Sequence, residues 1–237
     1  MIKSNSNKPK ENHYLFFTGG KDSLLSLYLL LSKGIKPTLV LIDYNQSSLR
    51  KEKVVQKYYS ELFKLKMLNY YFEIGIPKAI SEGVLSENKS SHVILRNPLF
   101  LLNFANRIWE EDKICTIYYG AHEFDLRNYD GDVLFCKKLN RLVRYLYNNI
   151  YIKTVIGKYH EKDILNELYK IKGVDLSHLV FCEHADIHPS SSEKLNCGKC
   201  TKCTVYREYA VKHGFMDKIK PLFDTDIYPK GTFDITE

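Results

Sequence analysis

Short apolar runs and longer amphipathic stretches alternate along this chain from residue 13 onward. Residues 13–17 (HYLFF) and 38–42 (TLVLI) are apolar almost throughout, as expected of strands covered on both sheet faces. Residues 69–74, 115–119 and 151–156 are predicted as further strands. Between the strands, apolar positions recur at helical spacing and predict helices over 22–32, 47–66, 97–111, 132–148 and 161–171. In the second of these, Val54, Val55, Tyr58, Leu62 and Leu65 recur at roughly helical spacing; in the third, Leu101, Leu102, Phe104, Ala105 and Ile108 are available for the buried side. A last helix is predicted from about residue 204, and residues 81–91 and the tail after Pro221 read as loops. This rhythm predicts an α/β fold: a doubly wound, Rossmann-like parallel sheet of about five strands with helices on both faces.

At 237 residues the chain can hold one large core with a small appendage. The polar residues 1–12 read as a disordered leader without the apolar centre of a signal peptide. The α/β domain is expected over 13–175 and a C-terminal subdomain with its tail over 176–237. The longest apolar run, 24–31, is interrupted by Ser26 and too short for a bilayer, so a cytoplasmic protein without a membrane role is expected. A net charge of +7 suits anionic ligands such as ATP, tRNA or DNA, and equally a lysine-rich composition with no partner.

Candidate chemistry starts where the first strand ends. Thr18, Gly19, Gly20, Lys21, Asp22 and Ser23 form a glycine turn into a helix. Adjacent glycines let backbone approach a phosphate closely, and a helix N-terminus aims N–H groups and partial positive charge at it. Ser23 adds a hydroxyl and Lys21 a cation. The loop is neither G-x-x-x-x-G-K-S/T nor G-x-G-x-x-G. An ordinary turn before a helix is the plainer alternative. The segment resembles the S/T-G-G-x-D-S pyrophosphate loop (PP-loop) of the ATP pyrophosphatase superfamily, whose members adenylate a substrate and release pyrophosphate.

Ligands of an open parallel sheet sit beyond the carboxyl ends of its strands. Asp43, Tyr44, Asn45 and Gln46 follow the second strand, Gly120, Ala121, His122, Glu123, Phe124 and Asp125 follow the fourth, and Arg96 and Asn97 open a helix. Asp43 and Asp125 are either solvated carboxylates or contacts, one to ribose or base, the other to magnesium or a second substrate. Tyr44 offers a ring for stacking. His122 could bind substrate, move a proton near neutral pH, or cap the following turn. Cys115 and Cys136 stand alone and read as buried apolar residues, whereas Cys182, Cys197, Cys200 and Cys203 are spaced C-x14-C-x2-C-x2-C. Four thiolates suit a closed, structural zinc site, with an iron–sulfur cluster as the alternative. His184 and His188 lie inside the cysteine loop and could replace one ligand.

Taken in order, Thr18–Ser23, Asp43–Gln46, Arg96-Asn97-Pro98-Leu99-Phe100-Leu101, Gly120–Asp125 and the four cysteines resemble the 7-cyano-7-deazaguanine synthase family of that superfamily, over about residues 13 to 215. The resemblance implies ATP-dependent adenylation of 7-carboxy-7-deazaguanine, then attack by ammonia to give an amide and, after a second activation, the nitrile. It implies ATP, Mg2+ and Zn2+ as cofactors. Lys21, Asp22, Ser23, His122 and Asp125 would carry catalysis. Thr18, Gly19, Gly20, Asp43, Tyr44, Gln46, Arg96, Asn97 and Gly120 would bind nucleotide. A homodimer acting on small molecules is expected. The departures fall on the acceptor side: Asn45 replaces a glycine, Ser47-Ser48 an Arg-His pair, His122 an asparagine, and Tyr129-Asp130-Gly131-Asp132-Val133 the family's Y-P-D-C-R. They allow a divergent paralogue that joins a deazaguanine to a protein in antiphage defence, with Lys137, Lys138, Arg141 and Arg144 docking an acidic partner. Other adenylating enzymes, such as a tRNA thiolase or a glutamine-dependent amidotransferase, and a non-catalytic zinc module that binds nucleic acid remain as alternatives.

Overall fold

The computed structural model describes residues 11–44, 46, 48–72, 96–111, 113–123, 131–160, 163–182, 195–198 and 200–214, with backbone alone at Arg96 and Thr201. The elements run β1 (Asn12–Phe16), α1 (Lys21–Ser32), β2 (Thr38–Asp43), α2 (Leu49–Phe63), β3 (Met67–Tyr71), α3 (Arg96–Ile108), β4 (Cys115–Tyr118), α4 (Val133–Leu146), β5 (Ile150–Lys153), α5 (Ile164–Lys170) and α6 (Thr201–Lys212). The strands form a 5-stranded sheet in the order β3-β2-β1-β4-β5. Every pairing is parallel, with Leu15 opposite Leu39 and Tyr14 opposite Ile117. The chain builds outward from β1 to β3, then returns to the other side of β1. A crevice therefore opens between the carboxyl ends of β1 and β4, where the strand order reverses.

Strand side chains alternate between two cores. Leu15, Phe17, Leu39 and Tyr118 enter one with Leu24, Leu27 and Leu30 of α1, Val55 and Tyr59 of α2, and Ile164 and Leu168 of α5. Val40, Ile42, Cys115, Ile117 and Ile152 enter the other with Phe100, Leu101 and Phe104 of α3 and Cys136, Leu139 and Val143 of α4. Cys182, Cys197, Cys200, Cys203 and Ala210 belong to the first core, so the cysteine segment is continuous with the hydrophobic packing under the sheet.

Among the boundaries that differ from the sequence expectation, three have a clear local reason. β3 starts at Met67 rather than residue 69: Leu39 N–H donates to Lys66 O (2.8 Å), and buried Gln56 on α2 donates to Leu39 O (2.9 Å) and Leu68 O (3.4 Å). β5 stops at Lys153 because Thr154 Oγ1 accepts from Ile156 N–H (3.2 Å) and turns the chain. α6 begins at Thr201 rather than near 204, because Cys200 Sγ caps it by accepting from Cys203 N–H (3.5 Å). Residues 81–91 and the tail after 221 lie outside the described residues. Among the described residues no helix is long and apolar enough to cross a membrane.

Candidate functional site

The loop after β1 enters α1 at the crevice. Gly19 has φ +77°, and a Cβ there would overlap Val55 Cγ1 on α2, so both backbone angle and space demand glycine. Gly20 is the extended N-cap of α1, and the first i→i−4 bond of the helix runs from Leu24 N–H to Gly20 O (2.9 Å). The N–H groups of the preceding turn thus sit at the positive end of the helix dipole. Ser23 Oγ donates to Gly20 O (3.0 Å) and Lys21 Nζ to Asp22 Oδ1 (2.7 Å). Lys21 is 5% exposed, so its ammonium is buried in an ion pair with Asp22.

The loop after β4 lies directly on this turn. A Cβ at Gly120 would stand 2.9 Å from Asp22 Cβ, so only glycine lets the two segments approach. Beyond it, Ala121 O accepts from Thr154 Oγ1 (2.5 Å), His122 N–H donates to Gly131 O (2.9 Å), and His122 O accepts from Val133 N–H (3.2 Å). Glu123 N–H donates to Tyr159 O (3.0 Å). His122, 4% exposed, is enclosed in this framework, with Nδ1 3.4 Å from Glu123 O. Asp132 caps α4 by accepting from Leu134 N–H (2.5 Å).

At the end of β2, Asp43 meets Lys53 of α2 (3.1 Å), and Tyr44 packs on Phe100 with ring centroids 4.9 Å apart. Gln46 is buried and holds its own loop: Oε1 accepts from Tyr44 N–H (3.0 Å), and Nε2 donates to Ile42 O (2.9 Å) and Glu52 Oε2 (2.9 Å). Asn97 stands half-buried in the first turn of α3. Asp125, residues 129–130, His184, His188 and the side chain of Arg96 lie outside the described residues. The crevice thus gathers Thr18, Gly19, Gly20, Lys21, Asp22 and Ser23 with Gly120 and His122, while Asp43, Tyr44 and Gln46 occupy the adjoining strand end.

Cys182, Cys197, Cys200 and Cys203 are all buried, and their sulfurs lie within 4.8 Å of one another. Cys197 and Cys203 Sγ are 3.9 Å apart, Cys182 and Cys200 Sγ 4.0 Å. A tetrahedral ion with metal–sulfur bonds of about 2.3 Å puts ligand sulfurs about 3.8 Å apart, so the set fits one such ion. A four-iron cubane needs a wider spread. Backbone N–H groups of Cys197 (3.4 Å) and Cys200 (3.3 Å) donate to Sγ of Cys182 and Cys197. Hydrogen bonding with Cys200 pushes the Cys182 thiol up to about 11, and Cys203 is pushed up by its sulfur neighbours, so a cation binding here displaces thiol protons.

This cluster is fastened to the glycine loop after β1. Val180 N–H donates to Gly19 O (3.0 Å), and Val180 O would lie 3.5 Å from a Cβ on Gly20. Upstream, Tyr28 Oη accepts from Asp175 N–H (2.8 Å), Tyr59 Oη donates to Asp175 O (2.8 Å), and Tyr58 donates to the Asp175 carboxylate. Asn196 closes the arrangement: Oδ1 accepts from Phe181 N–H (2.9 Å) and Cys182 N–H (3.2 Å), and Nδ2 donates to Leu179 O (2.9 Å). Sequence reasoning passed over Thr154 and Asn196 and read Val55 only as an apolar helix position, since their partners are set by folding rather than by any local motif. Asn196→Ala would strand three buried backbone groups and is expected to destabilise the protein by about 3 kcal/mol, read from urea unfolding.

Comparison with known proteins gives four findings. The sequence profile of the family described as queuosine biosynthesis protein QueC matches residues 13–214. A 7-cyano-7-deazaguanine synthase of Methanococcus aeolicus is 22% identical over 209 residues, covering 78% of this chain and 88% of that protein. Among solved structures, a predicted subunit of a tRNA methyltransferase from Methanocaldococcus jannaschii aligns with TM-score 0.49 and 17% identity, over 66% of this chain and 73% of that one. The U34-tRNA thiolase NcsA from Methanococcus maripaludis, with its 4Fe-4S cluster, aligns with TM-score 0.44 and 19% identity, over 96% of this chain and 79% of that one.

Proposed function

The chain belongs to the queuosine biosynthesis protein QueC family, and from that premise we propose that it is an ATP-dependent ligase that activates the carboxylate of 7-carboxy-7-deazaguanine, or a close analogue, for attack by an amine. The observation that carries this reading is the glycine loop at the β1–β4 crevice, braced so that its backbone can cradle phosphates. Backbone N–H groups of Gly19 to Ser23 hold the β- and γ-phosphates, with Lys21 offsetting their charge. A magnesium ion would enter with the nucleotide and screen the same charge. A carboxylate oxygen attacks the α-phosphorus, pyrophosphate leaves, and an acyl-adenylate forms. Ammonia then adds to the acyl carbon, a proton is lost, and AMP departs to leave the amide. Attack of the amide oxygen on a second ATP releases pyrophosphate, and loss of AMP and both N–H protons then gives the nitrile. His122, two residues beyond Gly120, is assigned the role of taking those protons.

The four cysteines are read as holding one zinc ion in a closed, structural site, with sulfur spacing as the support. A sulfur-transferring role would call for a reactive cysteine by the loop. Among the described residues every cysteine is buried, and burial pushes Cys136 up to about 11 and Cys115 upward, which argues against it.

The test is product formation from ATP and 7-carboxy-7-deazaguanine, with and without ammonia, followed by mass spectrometry. Ser23→Ala is expected to cut AMP release by about a hundredfold. Its unfolding midpoint should fall by only about 2–4 °C, the effect of one lost hydrogen bond. Acid-dependent AMP release from Ser23→Ala at the unmodified rate would sink the assignment.

A further inference from the structure

The positive charge of this chain is concentrated in one place. Residues 133–159 hold Lys137, Lys138, Arg141, Arg144, Lys153 and Lys158 and no aspartate or glutamate, leaving 29 cations against 28 acids elsewhere. All six are exposed on α4, on the edge strand β5 and on the loop after it, and among the described residues none forms an ion pair. Mutual repulsion among these solvated cations is relieved when a polyanion covers the run.

The cations on α4 recur every three or four residues and so lie on one side of the helix, spanning about 10 Å from Lys137 to Arg144. Aromatic rings are interleaved with them. Tyr145 is 87% exposed. Tyr151 lies between Arg144, whose Cζ is 4.8 Å from the ring centroid, and Lys153, whose Nζ is 5.1 Å away. The strip starts at the crevice, because the first residue of α4 donates from Val133 N–H to His122 O (3.2 Å). It is separate from the phosphate loop and unused by the adenylation chemistry.

We propose that this face binds a single-stranded polynucleotide, its phosphates along α4 and β5 and an unpaired base on Tyr145. Unbroken positive charge with exposed rings is the combination that grips single strands: cations follow the backbone, and a ring stacks on any base. An isologous contact with a second copy is disfavoured, since it would bring like charges together. Leu142 (45% exposed) and Leu146 (52% exposed) also reach this surface and would suit an acidic protein helix, which is the competing occupant.

Fluorescence anisotropy of the full chain with labelled RNA and DNA single strands of about 20 nucleotides tests this. Binding is expected to weaken steeply as salt rises from about 50 to 200 mM. Arg141→Glu with Arg144→Glu should weaken it about tenfold or more and flatten the salt slope by about 1.5. Tyr145→Ala should weaken single strands more than a duplex of the same length. AMP formation by these variants should be unchanged, so the outcome is independent of the ligase reading. Three results would overturn the proposal. One is no saturable binding at the lowest salt. Another is equal loss from the charge-matched Lys57→Glu with Lys212→Glu on other helices. The third is equally tight binding of polyglutamate, which would assign the face to an acidic protein.

Discussion

Gly19→Ala is expected to abolish ATP-dependent AMP formation and to destabilise the protein by about 3 kcal/mol or more. Two effects add. A positive φ costs a non-glycine residue about 1–3 kcal/mol, and the new methyl overlaps Val55 Cγ1, where overpacking costs about 1–3 kcal/mol. Relief requires the loop to move, and with it go the Gly19 O contact to Val180 and the geometry of the helix N-terminus. Calorimetric titration with a non-hydrolysable ATP analogue should show no binding, and urea unfolding should show the lower midpoint. Val55→Ala in the same background separates the two causes: it removes the overlap and leaves the φ strain. Nucleotide binding by Gly19→Ala at the unmodified affinity would refute the phosphate-loop assignment.

Cys203→Ser carries the second large effect. Cys203 is fully buried in the first core and shares the cluster with three other thiols. Under the zinc reading the unmodified protein holds one equivalent by elemental analysis, and the variant less than a tenth of that. Loss of a structural metal costs about 4 kcal/mol or more, which for a chain of this size lowers Tm by about 10 °C. Because Val180 and Asn196 join the cluster to Gly19, nucleotide affinity should fall in the same variant. A metal-free unmodified protein, or an iron chromophore with matching sulfide, would overturn zinc.

The alternation of apolar runs revealed the sheet because parallel strands buried on both faces leave a signal that needs no partner to be read. Residues 13–17 and 38–42 show it, and both became central strands. The glycine turn into α1 was legible for a related reason: glycine, helix start and hydroxyl are contiguous. Gln46 shows where such reading ends. Its place in a polar strand end suggested nucleotide contact, yet its amide is occupied by Tyr44, Ile42 and Glu52. Cys200 was read only as a metal ligand, because sulfur is a weak acceptor seldom counted among helix caps. Asn196 was illegible altogether. Its partners lie on the far side of the cysteine loop, and only folding brings them to it.

The tyrosine clamp on Asp175 also sets when this protein becomes competent during its own synthesis. Tyr28, on α1, meets Asp175 across 147 residues, and Tyr59 does so across 116. A ribosome adding about 5–20 residues per second needs about 7–30 seconds to cover the longer interval. Through that time the nascent chain carries a glycine loop that nothing from the second half yet braces. Local helices can form early, but closing contacts of this range is slow. The loop between β1 and α1 is therefore among the last parts to be braced, and a chain truncated before residue 175 would carry its glycines without the contacts that hold them.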